Sequence, residues 1–366
     1  MNITLEKKEF VDAVATTSRF AERKSATLPV LGSVTIDASG KDIRFRATNL
    51  ETSISLIVAG AIKAAGILSL PATILREITS SLSGNGMLAV ETAGDTAKIS
   101  SGSLKSTLKT LPHEDFPALE SSDTPKTSFT LSGTLLKSLI QSVATCASPS
   151  TVRPELASVL ISAEGGVVKA VATDSFRLAE KKLSIPANIQ PFTMLIPAKN
   201  AIDIAQTIPD DDIRVSADEH QCSFSWPKGV ITTRLVAANY PDYAQIIPKT
   251  SVAEAQVLKK DFEASLRRTA VFSDAFQKVR LGFDPKGKHL SLSARNNDVG
   301  ESSEELPGAV SGEAIELSFN HRYLGAPLTL IGAESITLSA AGIGRALTVR
   351  GAGDKSFLYL VMPMNQ

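Results

Sequence analysis

The stretch ITLEKKEFVDAVATTSRF, Ile3 to Phe20, decides the fold because its pattern returns twice, as FTLSGTLLKSLIQSVATCAS from Phe129 and QVLKKDFEASLRRTAVFSD from Gln256. Each copy is a short strand of alternating apolar residues that runs into an amphipathic helix. Two further sets repeat in the same order. ILSLPATILREITSSL, MLIPAKNAIDIAQTI and ELSFNHRYLGAPLTLI place Pro71, Pro197 and Asn320 in register. RATNLETSI, AVATDSFRLA and SARNNDVGES do the same for Ala47, Ala172 and Ala294. Two repeats also close alike, on HEDFPAL with Phe116-Pro117 and on ANYPDYA with Tyr240-Pro241. Solenoid units run roughly 20 to 50 residues, so repeats of this length are whole domains. We expect three, over 1–122, 127–248 and 254–366.

Between the helices the chain is strand-rich, with IRFRATN, ISLIVAG, MLAVETA, VVKAVATD and LSLSARN broken by Gly84-Asn85-Gly86 and Gly165-Gly166. Each domain therefore reads as antiparallel sheet plus two helices, an α+β layer architecture. With 43% apolar and 21% charged residues in 366, each can bury its own core. Cys146 and Cys222 both fall within 127–248, without partner spacing, which suits a reducing compartment. The charged start, Glu6 to Glu9, does not read as a signal peptide. SISLIVAGAIKAAGILSLPATIL is apolar, but Lys63, Gly60, Gly66 and Pro71 interrupt it and Ile54, Leu56 and Val58 alternate as a strand does. A cytoplasmic chain with no membrane partner is the expectation.

The net charge is zero, yet its distribution is uneven. The predicted helical windows 7–24, 71–82, 132–148, 197–208, 259–270 and 320–331 carry a combined +6, so the remainder carries −6. At about 100° per residue, Phe10, Val14, Thr17 and Ala21 share one face of the first helix while Lys8, Arg19 and Arg23 share the other. Phe262, Leu266 and Thr269 oppose Lys260, Arg267 and Arg268 in the same way, and Lys137 stands alone opposite Leu135, Leu139 and Val143. One basic helix face is ordinary solvation. The same bias in equivalent helices points instead to a surface for phosphates. No zinc finger, helix-turn-helix or aromatic stacking platform accompanies it, so the binding implied is to the backbone of DNA and blind to sequence.

Nothing reads as catalytic. His113, His220, His289 and His321 are scattered, and no P-loop, G-x-G-x-x-G or G-x-S-x-G occurs. Asp174 beside Ser175 reads as a turn bonded to its own backbone. No cofactor or metal is expected. The C-terminus, FLYLVMPMNQ, reads equally as a docked strand and as soft methionines offered to a partner. SLKSTLKT, with Lys105 and Lys109, and VGESSEEL, with Glu301, Glu304 and Glu305, read as edge strands of opposite sign. Such edges allow two copies to pair head to tail.

TLPVLGSV, ATDSFRLA, the NYPDY turn and the terminal VMPM, taken together over the whole length, resemble the bacterial sliding clamps, the beta subunit of DNA polymerase III. The resemblance implies a head-to-tail ring homodimer of repeated clamp domains, with helices lining a hole around double-stranded DNA. It implies no enzymatic activity, and a role in tethering the polymerase III alpha subunit, other polymerases and repair proteins through short peptides. An ATP-driven clamp loader complex would open the ring. Carried over position by position, the peptide cleft would use Leu156, Thr173, Ser175, Phe176, Arg177, Leu178, Pro241, Ile246, Leu360, Met362, Pro363 and Met364. DNA contacts would come from Lys8, Arg19, Arg23, Lys24, Lys137, Arg153, Lys199, Lys260, Arg267 and Arg268. The dimer contact would use Lys105, Leu108, Val271, Phe272 and Phe276, with Lys105 facing Glu301 or Glu304.

Three departures stand out. Ser175 replaces the family's usual Gly, and Asn365-Gln366 replaces its basic and apolar ending. Gly325 and Pro327 should shorten the last helix, since Pro in a helix interior costs about 3 kcal/mol. The competing readings are an enzyme that uses the crevice near Thr173 to Arg177, and a scaffold of the same fold that ignores DNA.

Overall fold

The computed structural model describes residues 1–22, 28–117, 125–185 and 190–364. Repeat one runs β1 (Asn2–Glu6), α1 (Lys7–Thr17), β2 (Ser33–Asp37), β3 (Ile43–Thr48), β4 (Thr52–Val58) and β5 (Gly60–Ala64). It continues with β6 (Ile67–Pro71), α2 (Ala72–Ser80), β7 (Met87–Ala93), β8 (Thr96–Ser101) and β9 (Leu104–Lys109). Repeat two supplies β10 (Thr127–Ser132), α3 (Gly133–Ala144), β11 (Ser158–Glu164), β12 (Val167–Thr173) and β13 (Arg177–Ser184). Then come β14 (Phe192–Pro197), α4 (Ala198–Thr207), β15 (Asp212–Ala217), β16 (Gln221–Trp226) and β17 (Gly229–Arg234). Repeat three supplies β18 (Ala253–Leu258), α5 (Lys259–Ala270), β19 (Lys278–Asp284), β20 (His289–Asn296) and β21 (Gly300–Pro307). It ends with β22 (Ala309–Gly312), β23 (Ile315–Asn320), α6 (His321–Gly325), β24 (Ser335–Ala340), β25 (Leu347–Gly351) and β26 (Phe357–Val361).

The chain folds into two compact units, Met1–Lys137 with Lys199–Ala237, and Ser138–Ala198 with Ala238–Gln366. The middle repeat is therefore divided between them, a division the domain boundaries read from sequence do not contain. Its cause is strand pairing across repeats. In the first unit β17 pairs antiparallel with β4, Ile231 opposite Ile54, and this joins two half-sheets into one of eight strands. In the second unit β26 pairs with β13, Tyr359 opposite Ala179, and builds a nine-stranded sheet. A five-stranded sheet ordered β5-β1-β7-β8-β9 and a four-stranded one ordered β21-β20-β19-β23 complete the units. In both, the last strand of one repeat closes on the fourth strand of the repeat before it, the second strand of the equivalent hairpins β3–β4 and β12–β13.

Local chemistry accounts for the elements. Gly165 and Gly166, both at positive φ, make the two-residue turn between β11 and β12. In α1, Phe10, Ala13, Val14 and Thr17 are buried, as the periodicity predicts. The helix stops at Thr17, well short of residue 24. Thr16, Thr17 and Ser18 are poor helix formers, and the Thr17 hydroxyl bonds back to the Ala13 carbonyl at 2.7 Å. Arg19 thus sits in the following turn, while Arg23 and Lys24 lie outside the described residues. The last helix is short as expected: α6 spans His321–Gly325 and tightens into a 3-10 turn over Ala326–Thr329, where Pro327 lacks an N–H to continue the ladder. The apolar stretch after Ser53 folds as β4, β5 and β6, and no described helix is long and apolar enough to cross a membrane.

Candidate functional site

The second unit places five of the residues expected to line a peptide cleft, Thr173, Ser175, Phe176, Arg177 and Leu178, on or beside the turn that links β12 to β13. Asp174 acts as the turn's internal acceptor: its Oδ1 takes the backbone N–H of Phe176 at 3.0 Å and of Arg177 at 2.9 Å. Thr173 closes the loop, its hydroxyl donating to the Arg177 carbonyl at 2.7 Å and accepting from Ser175 N–H at 3.1 Å. Ser175 adopts φ +78°, a left-handed conformation that favours glycine, which gives the expected departure there a physical cost. The C-terminal strand continues past β26: Met362 N–H donates to the Phe176 carbonyl, and Met364 N–H to Ser318, both at 2.8 Å.

Arg177 is the electrostatic centre of the turn. Its Nε donates to Asp174 at 2.9 Å, its Nη2 to the Thr145 carbonyl at 2.8 Å, and its guanidinium lies 4.7 Å from the centroid of Tyr323. Asp174 reads from sequence as a self-bonded turn residue, whereas Thr145 and Tyr323 are parts of this centre that the residue-by-residue reading missed. The Tyr359 hydroxyl anchors the helix that carries the ring by donating to the Tyr323 carbonyl at 2.7 Å. Tyr243, in the NYPDY turn, donates to Glu180 at 2.8 Å, and Lys182 pairs with the same carboxylate at 2.7 Å. Cys146 lies beneath, its thiol pushed up to about 11 by burial, which makes it a small core residue rather than a nucleophile.

The expected lining separates into two layers. Leu156, Thr173, Leu178 and Leu360 are buried and form a fixed floor. Phe176, 61% exposed, with Ile246, Pro241 and half-buried Met362, Pro363 and Met364, present apolar surface above it. The tail thus does both things the sequence left open: Phe357–Val361 is core, and the Met-Pro-Met that follows is accessible. Asn365 and Gln366 lie outside the described residues.

Among the expected DNA contacts, Lys8, Lys199, Lys260 and Arg19 are exposed, Arg19 donating to Gln206 at 2.7 Å. Others are already engaged. Lys137 pairs with Asp210 at 2.8 Å, Arg153 with Glu155 at 3.1 Å, and Arg267 with Glu263 at 3.3 Å. Exposed pairs of this kind are worth about 0–1 kcal/mol, so a phosphate displaces them at small cost. Arg268 is different, since its Nε and Nη2 grip both oxygens of Glu304 at 2.7 and 2.5 Å. That pairing holds the Glu304 carboxyl below its ordinary range and corrects the reading of Glu304 as a free partner for Lys105.

Of the remaining dimer residues, Lys105 is exposed on β9 and Leu108 is buried within its own sheet. Val271 and Phe276 stand out at 67% and 72% exposed. Phe272 is half-buried beside Gly300, at the start of β21.

Three family profiles match in order: DNA polymerase III beta subunit, N-terminal domain over residues 1–120, central domain over 130–242 and C-terminal domain over 244–365. A beta sliding clamp of Pseudomonas aeruginosa is 26% identical with all of both chains covered, and one of Streptococcus pneumoniae is 28% identical over 100% of this chain and 99% of that one. A crystal structure of the Thermotoga maritima DNA polymerase III beta subunit shares the fold at a TM-score of 0.94 and 23% identity, covering 100% and 99% of the two chains. A Pseudomonas aeruginosa sliding clamp bound to griselimycin superposes at 0.93 with 25% identity and full coverage of both. With three matching profiles that together span nearly its whole length, the chain belongs to the DNA polymerase III beta subunit family, the sliding clamps.

Proposed function

We propose that two copies of this chain close head to tail into a ring around duplex DNA, and that clients dock by short peptides on the Thr173–Leu178 turn. As a member of the sliding clamps it is a non-catalytic processivity factor. The observation that carries the ring is the pattern of strand pairing. The last strand of repeat two closes on β4 and the last strand of repeat three closes on β13. The last strand of repeat one, β9, and the matching strand of repeat three, β21, are each an edge. We take the third junction of the series to form between copies.

The two observed junctions supply its register. Ser106 faces Ile99 as Ile231 faces Phe224 and Tyr359 faces Val349. Ser302 faces Ala294 as Ile54 faces Ala47 and Ala179 faces Ala172. By that equivalence Ser106 lies opposite Ser302 of the other copy, and Lys105 lies opposite Ser303 with Glu301 and Glu305 on its diagonals. Leu104 then faces Glu304 on the opposite face, where Arg268 already holds that carboxylate. Lys105 thus works with Glu301 and Glu305. Val271, Phe272 and Phe276 flank the same junction.

The apolar surface of Phe176, Ile246, Met362 and Met364 over a buried floor suits aliphatic and aromatic anchors of an extended peptide. We assign to it peptides of the DNA polymerase III alpha subunit, other polymerases and repair proteins, with a clamp loader complex opening the ring in the cytoplasm. The basic helices face the duplex in three clamp domains over 1–122, 127–248 and 254–366.

The deciding experiment measures solution mass and then retention on circular duplex DNA, with linearisation as the release step. A mass near twice 38.7 kDa, with protein held on circles and lost on cutting, is the expected result. A monomer that binds circles and linear duplex equally overturns the ring.

A further inference from the structure

The turn that forms the peptide cradle in the second unit has a close counterpart in the first. Thr48 occupies the place of Thr173, and its hydroxyl donates to the Thr52 carbonyl at 2.9 Å and accepts from Leu50 N–H at 3.1 Å. Asn49 takes the role of Asp174, its Oδ1 accepting from Glu51 N–H at 3.0 Å and Thr52 N–H at 2.8 Å. Leu50 adopts φ +70° where Ser175 has +78°. Arg234 N–H donates to the Glu51 carbonyl at 2.9 Å, as Met362 does to Phe176. Pro117 stands where Pro241 does. The backbone device is the same, bond for bond.

Its lining is not. A cavity of about 220 Å³ opens at this turn, bordered by Leu50, Glu51, Pro117, Thr232 and Arg234. Glu51 and Arg234 are exposed, and no ion pair involves either among the described residues. Leu50 is a large apolar side chain, 45% exposed, held in a left-handed conformation that is strained for a residue with a Cβ. Strain of that kind persists where the surroundings fix it, and it gathers at binding sites.

We propose that the Thr48–Thr52 turn is a second peptide cradle, selective for an extended segment that places an acidic side chain on Arg234 beside an aliphatic one on Leu50. Glu51 accepts the segment's backbone N–H. The inference rests on reading the Thr173–Leu178 turn as a peptide site, because the shared backbone geometry is what transfers. Substituting Phe176 by Glu51 and Met362 by Arg234 exchanges apolar anchoring for charge, so the two cradles take different sequences.

Methyl-labelled full-length protein separates them, since Leu50 reports one turn and Met362 and Met364 the other. The probes are N-acetyl-Leu-Asp-amide and its Leu-Asn analogue at millimolar concentration, and an apolar N-acetyl-Leu-Phe-amide. The Leu-Asp probe is expected to shift the Leu50 methyls and leave both methionines unmoved, binding at least tenfold more weakly to Arg234→Gln and as the Leu-Asn analogue. Unmoved Leu50 methyls, or equal response to Leu-Asp and Leu-Asn, overturn the proposal. If the apolar probe shifts Met362 and Met364 while Leu50 stays silent to the Leu-Asp probe, only the second cradle falls. If the methionines also stay silent, the peptide reading of the first turn falls with it.

Discussion

Reversing Lys105 to Glu tests the register of the junction between copies. On β9 this side chain shares the outer sheet face with Thr107 and Lys109, and on β21 the outer face carries Glu301, Ser303 and Glu305. With Lys105 opposite Ser303, the substitution removes two diagonal attractions and installs two repulsions. Exposed cross-strand charge pairs are worth about 0.3 kcal/mol each, toward the low end of their range. Each junction then loses about 1.2 kcal/mol. A closed pair of chains contains two junctions, so dimerisation weakens by about 2.4 kcal/mol, roughly 50-fold in Kd. Sedimentation of fluorescently labelled protein at low salt reads this shift, and added salt should shrink it. Adding Glu301→Lys and Glu305→Lys to the same chain should restore dimerisation. An unchanged Kd for Lys105→Glu, or a rescue achieved through Glu304 in place of Glu301 and Glu305, would refute the register.

Removing the guanidinium in Arg177→Ala deletes two charge-assisted hydrogen bonds and a stacked contact in a half-buried setting. Denaturant unfolding should show a loss of about 3 kcal/mol, with client-peptide affinity falling alongside. Neither thiol should react with an alkylating reagent at about pH 8 in the native protein, because burial pushes both Cys146 and Cys222 well above that pH, and both should react once the chain is unfolded. The Glu304 carboxyl titrates below its unfolded value because Arg268 bonds its charged form. Its contribution is therefore fully present above about pH 4.5 and is lost as pH falls through the lower folded value. Melting temperature should decline less steeply with acid in Glu304→Gln than in the parent chain.

Much of this molecule was legible because repetition makes each copy a check on the others. Period-2 and period-3.6 patterns in three parallel stretches fixed the strand-helix order, and Gly325 with Pro327 announced the stunted α6. The Asx turn at Asp174 followed from residue type alone. What escaped had non-local causes. The halving of the middle repeat depends on β17 meeting β4 and β26 meeting β13, and pairing partners leave no trace in either strand's own pattern. The early end of α1 needed the Thr17 hydroxyl to be seen bonding backward. Glu304 could be read as an edge charge, but the side of the strand it occupies, and so its capture by Arg268, depends on register. Tyr323 entered the site only through the fold that sets its ring against Arg177.

The three junctions differ in wetness. Inside one chain they meet through Ile231 against Ile54, and Tyr359 against Ala179, all buried. Between copies, in the register proposed above, the equivalent place holds Ser106 against Ser302, groups that water solvates well. Two junctions are thus dry and tied by the covalent chain, while the third is moist and untethered. The strand contacts released there are polar ones that solvent takes over, and the apolar surface uncovered is that of Val271, Phe272 and Phe276 beside them. A ring of this kind has a built-in gate, placed by side-chain polarity at the only joints through which a strand of DNA has any need to pass.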